Sequence, residues 1–534
     1  MPNAASPPLP PVLRPSTSPR RSLADLAARF QAATADDLTG VEVTGVTLAT
    51  GDLRAGELFV AVQGAKRHGA EVAGGAVARG AVAVLTDAAG AALLTDVGVP
   101  VLVVDDPRAR LGAISADVYG TGADGQLPPL LAVTGTNGKT SVTHLMEGIL
   151  GGLGVVTGMS STAERHIAGQ VIPSRLTTPE ASEMHALIAL MRERDVQAIL
   201  VEVSAQALTR HRVDGLHFDV AGFTNLTHDH LDDYGDMRTY LEAKLALFRA
   251  DRSRRAVVCV DQPEGVEVAQ RAEVPVTTIL TPAIAADPDV AADWRVDIVG
   301  EEPDGVTFTL TGPAGALTTT VPVIGPHMAS NAALAIVLLL EAGWEWEAIS
   351  ALVGDARIDA HLPGRIQRLS GDRGPAFYLD FGHSPDAFAK TLEAVRRVTP
   401  GTVIMVCGAN GDRDVTKRSD MGRAAALGSD IVIVTDQHPR SEDPATIRAA
   451  LVAGARDARP DVTVFDVAAP EEAVARAVSL AGEGDAILWA GPGHQHYREI
   501  AGVRTPFDAE EVARTALRRA GRPVDDRQAP RASE

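Results

Sequence analysis

Apolar residues along this chain gather in short continuous runs, and longer stretches of helical spacing separate them. Near the start, Leu23, Leu26, Ala27 and Phe30 fall on one helix face, and the runs 58–62, 81–85 and 101–104 predict buried strands. The apolar run 130–133 opens a second stretch. After it Val142, Leu145, Met146, Ile149 and Leu150 recur at helical spacing. Runs 198–203 and 256–260 predict further buried strands. The alternation of Val306, Phe308 and Leu310, then Leu317, Val321 and Val323, predicts hairpins, and 331–341 a helix. A third stretch carries strands at 377–380, 402–407, 431–435, 462–465 and 486–490, with Ala-rich helical segments between most of them. Strands alternating with helices imply parallel sheets covered on both faces.

The fold class is therefore α/β. A chain of 534 residues exceeds what one core can serve, and three domains are expected: 22–127, 128–360 and 361–534. Gly120 to Pro129 is the expected first linker. Residues 1–21, rich in Pro, Ser and Arg, are expected to be a disordered tail or an over-called start.

Composition narrows the function. Apolar residues make up 45% and charged residues 22%, which is globular usage. A formal charge of −20 disfavours a nucleic-acid partner, because a phosphate backbone needs a basic stripe. A small anion held by a few local cations is still allowed. Cys259 and Cys407 are too few for a disulfide framework or a zinc site, and point to a reducing cytoplasm. Arg20 and Arg21 lack the apolar run of a secretory signal, and the most apolar segment, 332–340, is far short of the ~20 residues that span a bilayer. No membrane partner is expected.

Chemistry concentrates in two places. In Gly135-Thr136-Asn137-Gly138-Lys139-Thr140, two glycines allow a tight turn whose N–H groups can face phosphate oxygens. Lys139 supplies charge near terminal phosphates, and the Thr140 hydroxyl suits Mg²⁺. This is a shortened phosphate loop, G-x-x-G-K-T, set between an apolar strand and an amphipathic helix. The second place joins Glu202, at the end of an apolar strand, to the acid- and histidine-rich run Asn225 to Asp233. A buried carboxylate must be paired, metal-bound or catalytic, and the whole reads as an ATP site with Mg²⁺.

These residues resemble the Mur ligases, and within them the branch that adds the third residue of a nucleotide-linked peptide. Beyond the phosphate loop, the resemblance rests on Leu176-Thr177-Thr178-Pro179, Glu202-Val203-Ser204, Phe223-Thr224-Asn225-Leu226, Asp229-His230-Leu231-Asp232 and Glu242-Ala243-Lys244. It continues through Pro363-Gly364-Arg365, Asp380-Phe381-Gly382-His383-Ser384-Pro385, Gly411-Asp412-Arg413-Asp414, Pro439-Arg440-Ser441-Glu442-Asp443-Pro444 and Gly491-Pro492-Gly493-His494. It implies an N-terminal UDP-binding domain, a central P-loop ATPase domain and a C-terminal Rossmann-like domain that receives the amino acid. It implies that ATP phosphorylates a D-Glu side-chain carboxylate of UDP-N-acetylmuramoyl-L-alanyl-D-glutamate, and that the amine of an amino acid displaces the phosphate. Such an enzyme serves peptidoglycan precursor synthesis, and a monomer is expected.

The resemblance also implies roles. Lys139, Glu202, His230 and Lys244 would be catalytic, with Thr140, Glu202, His230 and a carbamylated Lys244 holding Mg²⁺. The nucleotide side would be lined by residues 135–140 together with Asn331, Arg365, Asp380 and His383. Thr50, Thr177, Thr178, Ser204, Arg210 and Arg212 would hold the nucleotide-sugar peptide, and Arg413, His438, Arg440, Gly491 and Gln495 the amino acid.

Departures from the family pattern cluster at the amino acid. Members that add diaminopimelate carry Asp-Asn-Pro-Arg where this chain has Gln437-His438-Pro439-Arg440, and Gly-Lys-Gly-His-Glu where it has Gly491-Pro492-Gly493-His494-Gln495. Gln495 offers no formal charge to a distal ammonium. The expected third residue is therefore not meso-diaminopimelate but one such as lysine, ornithine, diaminobutyrate or homoserine. Ala49-Thr50-Gly51 replaces Asp-Ser-Arg, leaving the Thr50 hydroxyl as the uridine contact, and His327-Met328 replaces Phe-Asn near the adenine. The alternatives are a folylpolyglutamate-type ligase, a Mur-ligase paralogue acting on another carboxylate, and a non-catalytic nucleotide-binding protein. A long N-terminal α/β stretch argues against the first, and intact Lys139, Glu202, His230 and Lys244 against the last.

Overall fold

The computed structural model describes residues 12–64, 66–122, 125–229 and 231–525. Its strands form three main sheets, in chain order. The first is all parallel: Gly45–Thr47, Glu57–Val60, Ala83–Thr86 and Val101–Val103, each paired with the next. Leu58, Val60 and Leu85 face Leu23, Leu26, Leu111 and Ile114, whereas Phe59 and Val84 pack on Ala73 and Ala76. Cores on both faces explain why the middle of these strands is a continuous apolar run rather than an alternation, with Thr47, Glu57 and Thr86 at strand ends.

The central sheet has eleven strands. Leu130–Thr134 lies between Ala198–Glu202 and Val220–Phe223, all three parallel, with Val133 opposite Glu202 and Thr134 opposite Phe223. This register brings Glu202 to the level where the phosphate loop begins. Antiparallel strands finish both edges: Glu164–Ile167 with Gln170–Pro173 on one side, and Trp294–Glu302, Gly305–Gly312 and Gly315–Val321 on the other. The helix beneath starts at Pro326 rather than Asn331, since proline suits a first helical turn, and runs to Glu341 with nearly every residue buried.

The third sheet has six strands. Ala376–Asp380, Ala486–Ala490, Val403–Cys407, Ile431–Val434 and Thr463–Asp466 are parallel neighbours, and Gln367–Arg368 pairs antiparallel at one edge.

The expected tail needs correction. Residues 1–11 lie outside the described residues, but Val12, Arg14 and Pro15 are buried. Arg14 is buried and its Nε donates to Glu57 Oε1 at 2.8 Å, and Arg21–Ser22 pairs with Glu42–Val43. The charge pair fixes this segment together with buried Val12 and with Leu13, which packs on the central core. No helix among the described residues is long and apolar enough to cross a membrane.

One ion cluster ties the central sheet's edge to the helix Lys139–Gly152. His166 lies between Glu147 and Glu164, with Nδ1 2.7 Å from one carboxylate and Nε2 3.0 Å from the other. Burial opposes the charged ring, but hydrogen bonds and charge from both acids outweigh it and raise its pKa from 6.5 to about 9. A raised folded-state pKa gives stability that is fully present below about pH 6.5 and is lost as pH rises through about 9. The melting temperature is expected to fall between pH 7 and 9.5, and His166→Gln to remove that component of the fall. An unchanged slope in the variant would show that His166 does not carry it.

Candidate active site

The phosphate loop leaves the end of strand Leu130–Thr134 and enters the helix Lys139–Gly152. Gly135 and Gly138 have φ of +143° and +89°. A β-carbon on Gly138 would sit 2.5 Å from Asn331 Oδ1, so this glycine allows the central helix to approach the loop. The neighbouring strand end braces the turn: Asn225 Oδ1 accepts from the Asn137 N–H at 3.0 Å, Thr224 Oγ1 donates to the Asn137 carbonyl at 2.6 Å, and Thr136 Oγ1 accepts from the Thr227 N–H at 3.0 Å.

Two lysines meet under this loop. Half-buried Lys139 donates to the carbonyls of Gly135 and Thr136 at 3.0 and 2.9 Å. Lys244, 1% exposed, donates to the Gly135 carbonyl at 2.7 Å, and its Nζ lies 4.4 Å from the Tyr240 ring centre. Burial lowers the pKa of both. For Lys244 the like charge of Lys139 pushes further, to well below 10.5, while Asp229 and Glu202 oppose.

Glu202 is buried and fully engaged. The Thr140 hydroxyl donates to its Oε2 at 2.9 Å, and Thr162 gives it both an N–H and a hydroxyl, each at 2.8 Å. Arg365, from the C-terminal unit, donates to Thr140 Oγ1 at 3.2 Å and lies over the Phe381 ring at 4.6 Å. Asp380 accepts from the N–H groups of Ile366 and Gly382, holding that segment against the loop, and His383 bonds the Phe381 carbonyl. Lys139, Thr140, Glu202, Lys244, Asn331 and Arg365 are thus brought together. His230 lies outside the described residues.

The residues assigned to the nucleotide-sugar peptide are more dispersed. Thr177 meets Thr162 at 3.0 Å, and Thr178 joins the Glu202 carbonyl to the Ser204 N–H. Ser204 caps the short helix Ala205–Thr209. Arg212 pairs with Glu180 at 3.0 Å, and exposed Arg210 with Asp233 at 3.4 Å. Thr50 opens a single turn, Thr50–Asp52, that Arg175 joins to the central unit through Asp52 at 2.9 Å. Thr162 and Phe381 escape sequence reasoning: a lone threonine in a polar stretch carries no signal, and Phe381 could have been flagged only from its place inside a motif.

A cleft of about 1400 Å³ opens beside the loop, with Asp229 and His228 on one wall and His383, Arg413, Arg440, Gly491 and Gln495 on others. Lys139, Glu202 and Lys244 are not in its lining; Asp229 joins the two regions, since its charge acts on both lysines.

Three family descriptions match in chain order: "Mur ligase family, catalytic domain" over residues 42–119, "Mur ligase middle domain" over 133–339 and "Mur ligase, glutamate ligase domain" over 364–493. A UDP-N-acetylmuramyl-tripeptide synthetase of Leifsonia xyli subsp. xyli is 54% identical over 516 residues, covering 96% of this chain and 99% of its own. The chain belongs to the Mur ligase family. It is an ATP-dependent ligase that forms an amide bond. The UDP-N-acetylmuramoyl-L-alanyl-D-glutamate–2,6-diaminopimelate ligase of Streptomyces coelicolor is 42% identical over 82% of this chain and 85% of its own. A solved structure of a ligase of that same description superimposes with a TM-score of 0.63 at 26% identity, covering 94% of this chain and all of that one.

In this Mur ligase the far wall of the cleft is built by hydrogen bonds between distant segments. His438 Nε2 lies 2.7 Å from Gln495 Oε1, and its Nδ1 accepts from the Glu499 N–H at 3.1 Å. Arg440 has φ +53° and a buried Nε without a hydrogen-bond partner among the described residues. Gly491 has φ +121°, and a β-carbon there would strike the Gln437 side chain at 2.6 Å.

Proposed function

We propose that this ligase attaches the third amino acid to UDP-N-acetylmuramoyl-L-alanyl-D-glutamate, using ATP with Mg²⁺. The observation that carries the reading is the convergence of Lys139, Glu202 and Lys244 on one glycine turn, with Arg365 of the C-terminal unit closing on Thr140. The D-Glu carboxylate attacks the γ-phosphorus, giving an acyl phosphate and ADP. The amine then attacks the acyl carbon, the amide forms, and phosphate and a proton leave. Lys139 neutralises charge where two anions must meet. Arg365 and the cleft walls hold amine and acyl phosphate together and exclude water.

Mg²⁺ fits the oxygen donors in contact here, the Thr140 hydroxyl and the Glu202 carboxylate. These, with His230 and a carbamate on Lys244, would hold it, and when bound it supplies charge stabilisation at the transferred phosphoryl group. The carbamate forms when the neutral Lys244 amine adds CO₂ and loses a proton. Arg413 and Arg440 serve as clamps for the amino acid's carboxylate, and Thr178, Ser204 and Arg212 as contacts to the nucleotide-sugar peptide.

The test is phosphate release with purified full-length protein and a panel of amino acids, with product mass as the second readout. Release is expected to require ATP, the nucleotide dipeptide and an amino acid together, and the product to gain one residue. Release without the dipeptide, or ligation only to some other carboxylate, would overturn the assignment.

A further inference from the structure

The amide of Gln495 can point only one way, and this has consequences for the substrate. A backbone N–H can only donate, so the Glu499 N–H at 3.1 Å requires an unprotonated Nδ1 on His438. Burial lowers the pKa of His438 and keeps the ring neutral. Its single proton is then on Nε2, which donates to Gln495 Oε1 at 2.7 Å. Turning the carboxamide round would set its N–H against the His438 N–H. Gln495 therefore spends its oxygen on His438 and presents its NH₂, which has no hydrogen-bond partner among the described residues, at the cleft wall.

The surroundings reinforce that polarity. Arg440 and Arg413 line the same cleft. Of its carboxylates, Asp414 is tied to Thr416, Asp430 to Arg396, Glu393 to Arg397 and Asp386 to Lys390. The others are Asp229, beside the phosphate loop, and Asp420, on the helix Lys417–Gly428, and neither bonds Gln495 or His438. An ammonium brought to Gln495 would lose hydration and meet N–H donors and guanidinium charge.

We infer that Gln495, locked by His438 as a positioning residue, selects a third amino acid whose side chain ends in a neutral acceptor such as a hydroxyl, and rejects one ending in an ammonium. This rests on the ligase reading above.

L-Homoserine and L-2,4-diaminobutyrate test it directly, because they share one heavy-atom skeleton and differ by a terminal oxygen or nitrogen. With full-length protein, ATP, Mg²⁺ and the nucleotide dipeptide, kcat/KM for homoserine is expected to exceed that for diaminobutyrate by about 100-fold or more. Gln495→Glu is expected to reverse the order. His438→Phe, which frees the amide to turn, should bring the ratio to within about 10-fold, chiefly through the amino acid's KM. Diaminobutyrate preferred by the parent, or a ratio unmoved by Gln495→Glu in a variant that melts like the parent, overturns the inference and leaves the ligase reading standing. Should Gln495→Glu not fold, the parent's ratio alone decides. No amide product from any amino acid alongside the dipeptide would sink the ligase reading itself.

Discussion

Lys139→Ala is expected to give a folded protein whose phosphate release, with every substrate saturating, is slower by at least about 1,000-fold. The side chain gives up two hydrogen bonds, to the carbonyls of Gly135 and Thr136, and the loop that carries them is also braced by Asn225, Thr224 and Thr227. Each lost bond costs about 1 kcal/mol, partly offset because an ammonium whose pKa burial already lowers need no longer be desolvated. Folding should therefore change little. The chemical step has no substitute, because Arg365 points at Thr140 and Lys244 at the Gly135 carbonyl. The effect should fall on kcat more than on the KM for ATP, since the backbone turn that cradles phosphate is still present. Circular dichroism and melting temperature check the fold, and steady-state kinetics the rate. Turnover within about tenfold of the parent would remove Lys139 from the transition state.

Where strands are buried on both faces, the chain announces them. The runs 58–62, 198–203 and 486–490 are continuous because each has a core on either side, and each pairs in parallel with its neighbours. The helix Pro107–Tyr119 is less legible in the sequence. Its apolar positions Leu111, Ile114 and Val118 are correctly spaced, but Gly112 and Ser115 interrupt them, and its start is set by Asp106 accepting from two backbone N–H groups. The Arg14 segment is hidden for a related reason: part of what holds it is an ion pair across 43 residues of sequence, which local polarity cannot show, with Val12 and Leu13 adding apolar contact. The candidate site divides the same way. Glu202 is conspicuous because a lone acid closing an apolar strand has to be engaged, whereas Thr162, which makes two of its three hydrogen bonds, is ordinary in sequence. The bond between His438 and Gln495 joins segments 57 residues apart. Each substitution could be noticed in the sequence, but the orientation one imposes on the other depends on the Glu499 backbone and is visible only in three dimensions.

Lys244→Met should separate function from stability most sharply. If this lysine served only to hold the fold, its loss would lower the melting temperature, and activity would decline with it. Its surroundings argue otherwise. The side chain is 1% exposed, its amine has one carbonyl acceptor at 2.7 Å and an aromatic face at 4.4 Å, and burial with the neighbouring Lys139 charge holds its pKa well below 10.5. Methionine fills a similar volume without a polar atom to desolvate, at the cost of one hydrogen bond of about 1 kcal/mol. The variant is expected to melt within a few degrees of the parent or above it, and to lose at least about 100-fold in kcat. In the ligase reading proposed above, a carbamate formed when this amine adds CO₂ and loses a proton would supply an anion under the phosphate loop that no methionine can. Parent activity should accordingly fall when CO₂ is stripped from the buffer and return with bicarbonate, while the variant responds to neither. A methionine variant as active as the parent would show that the buried amine takes no part in the chemistry, and the Mg²⁺ site would have to be built from Thr140, Glu202 and His230 without it.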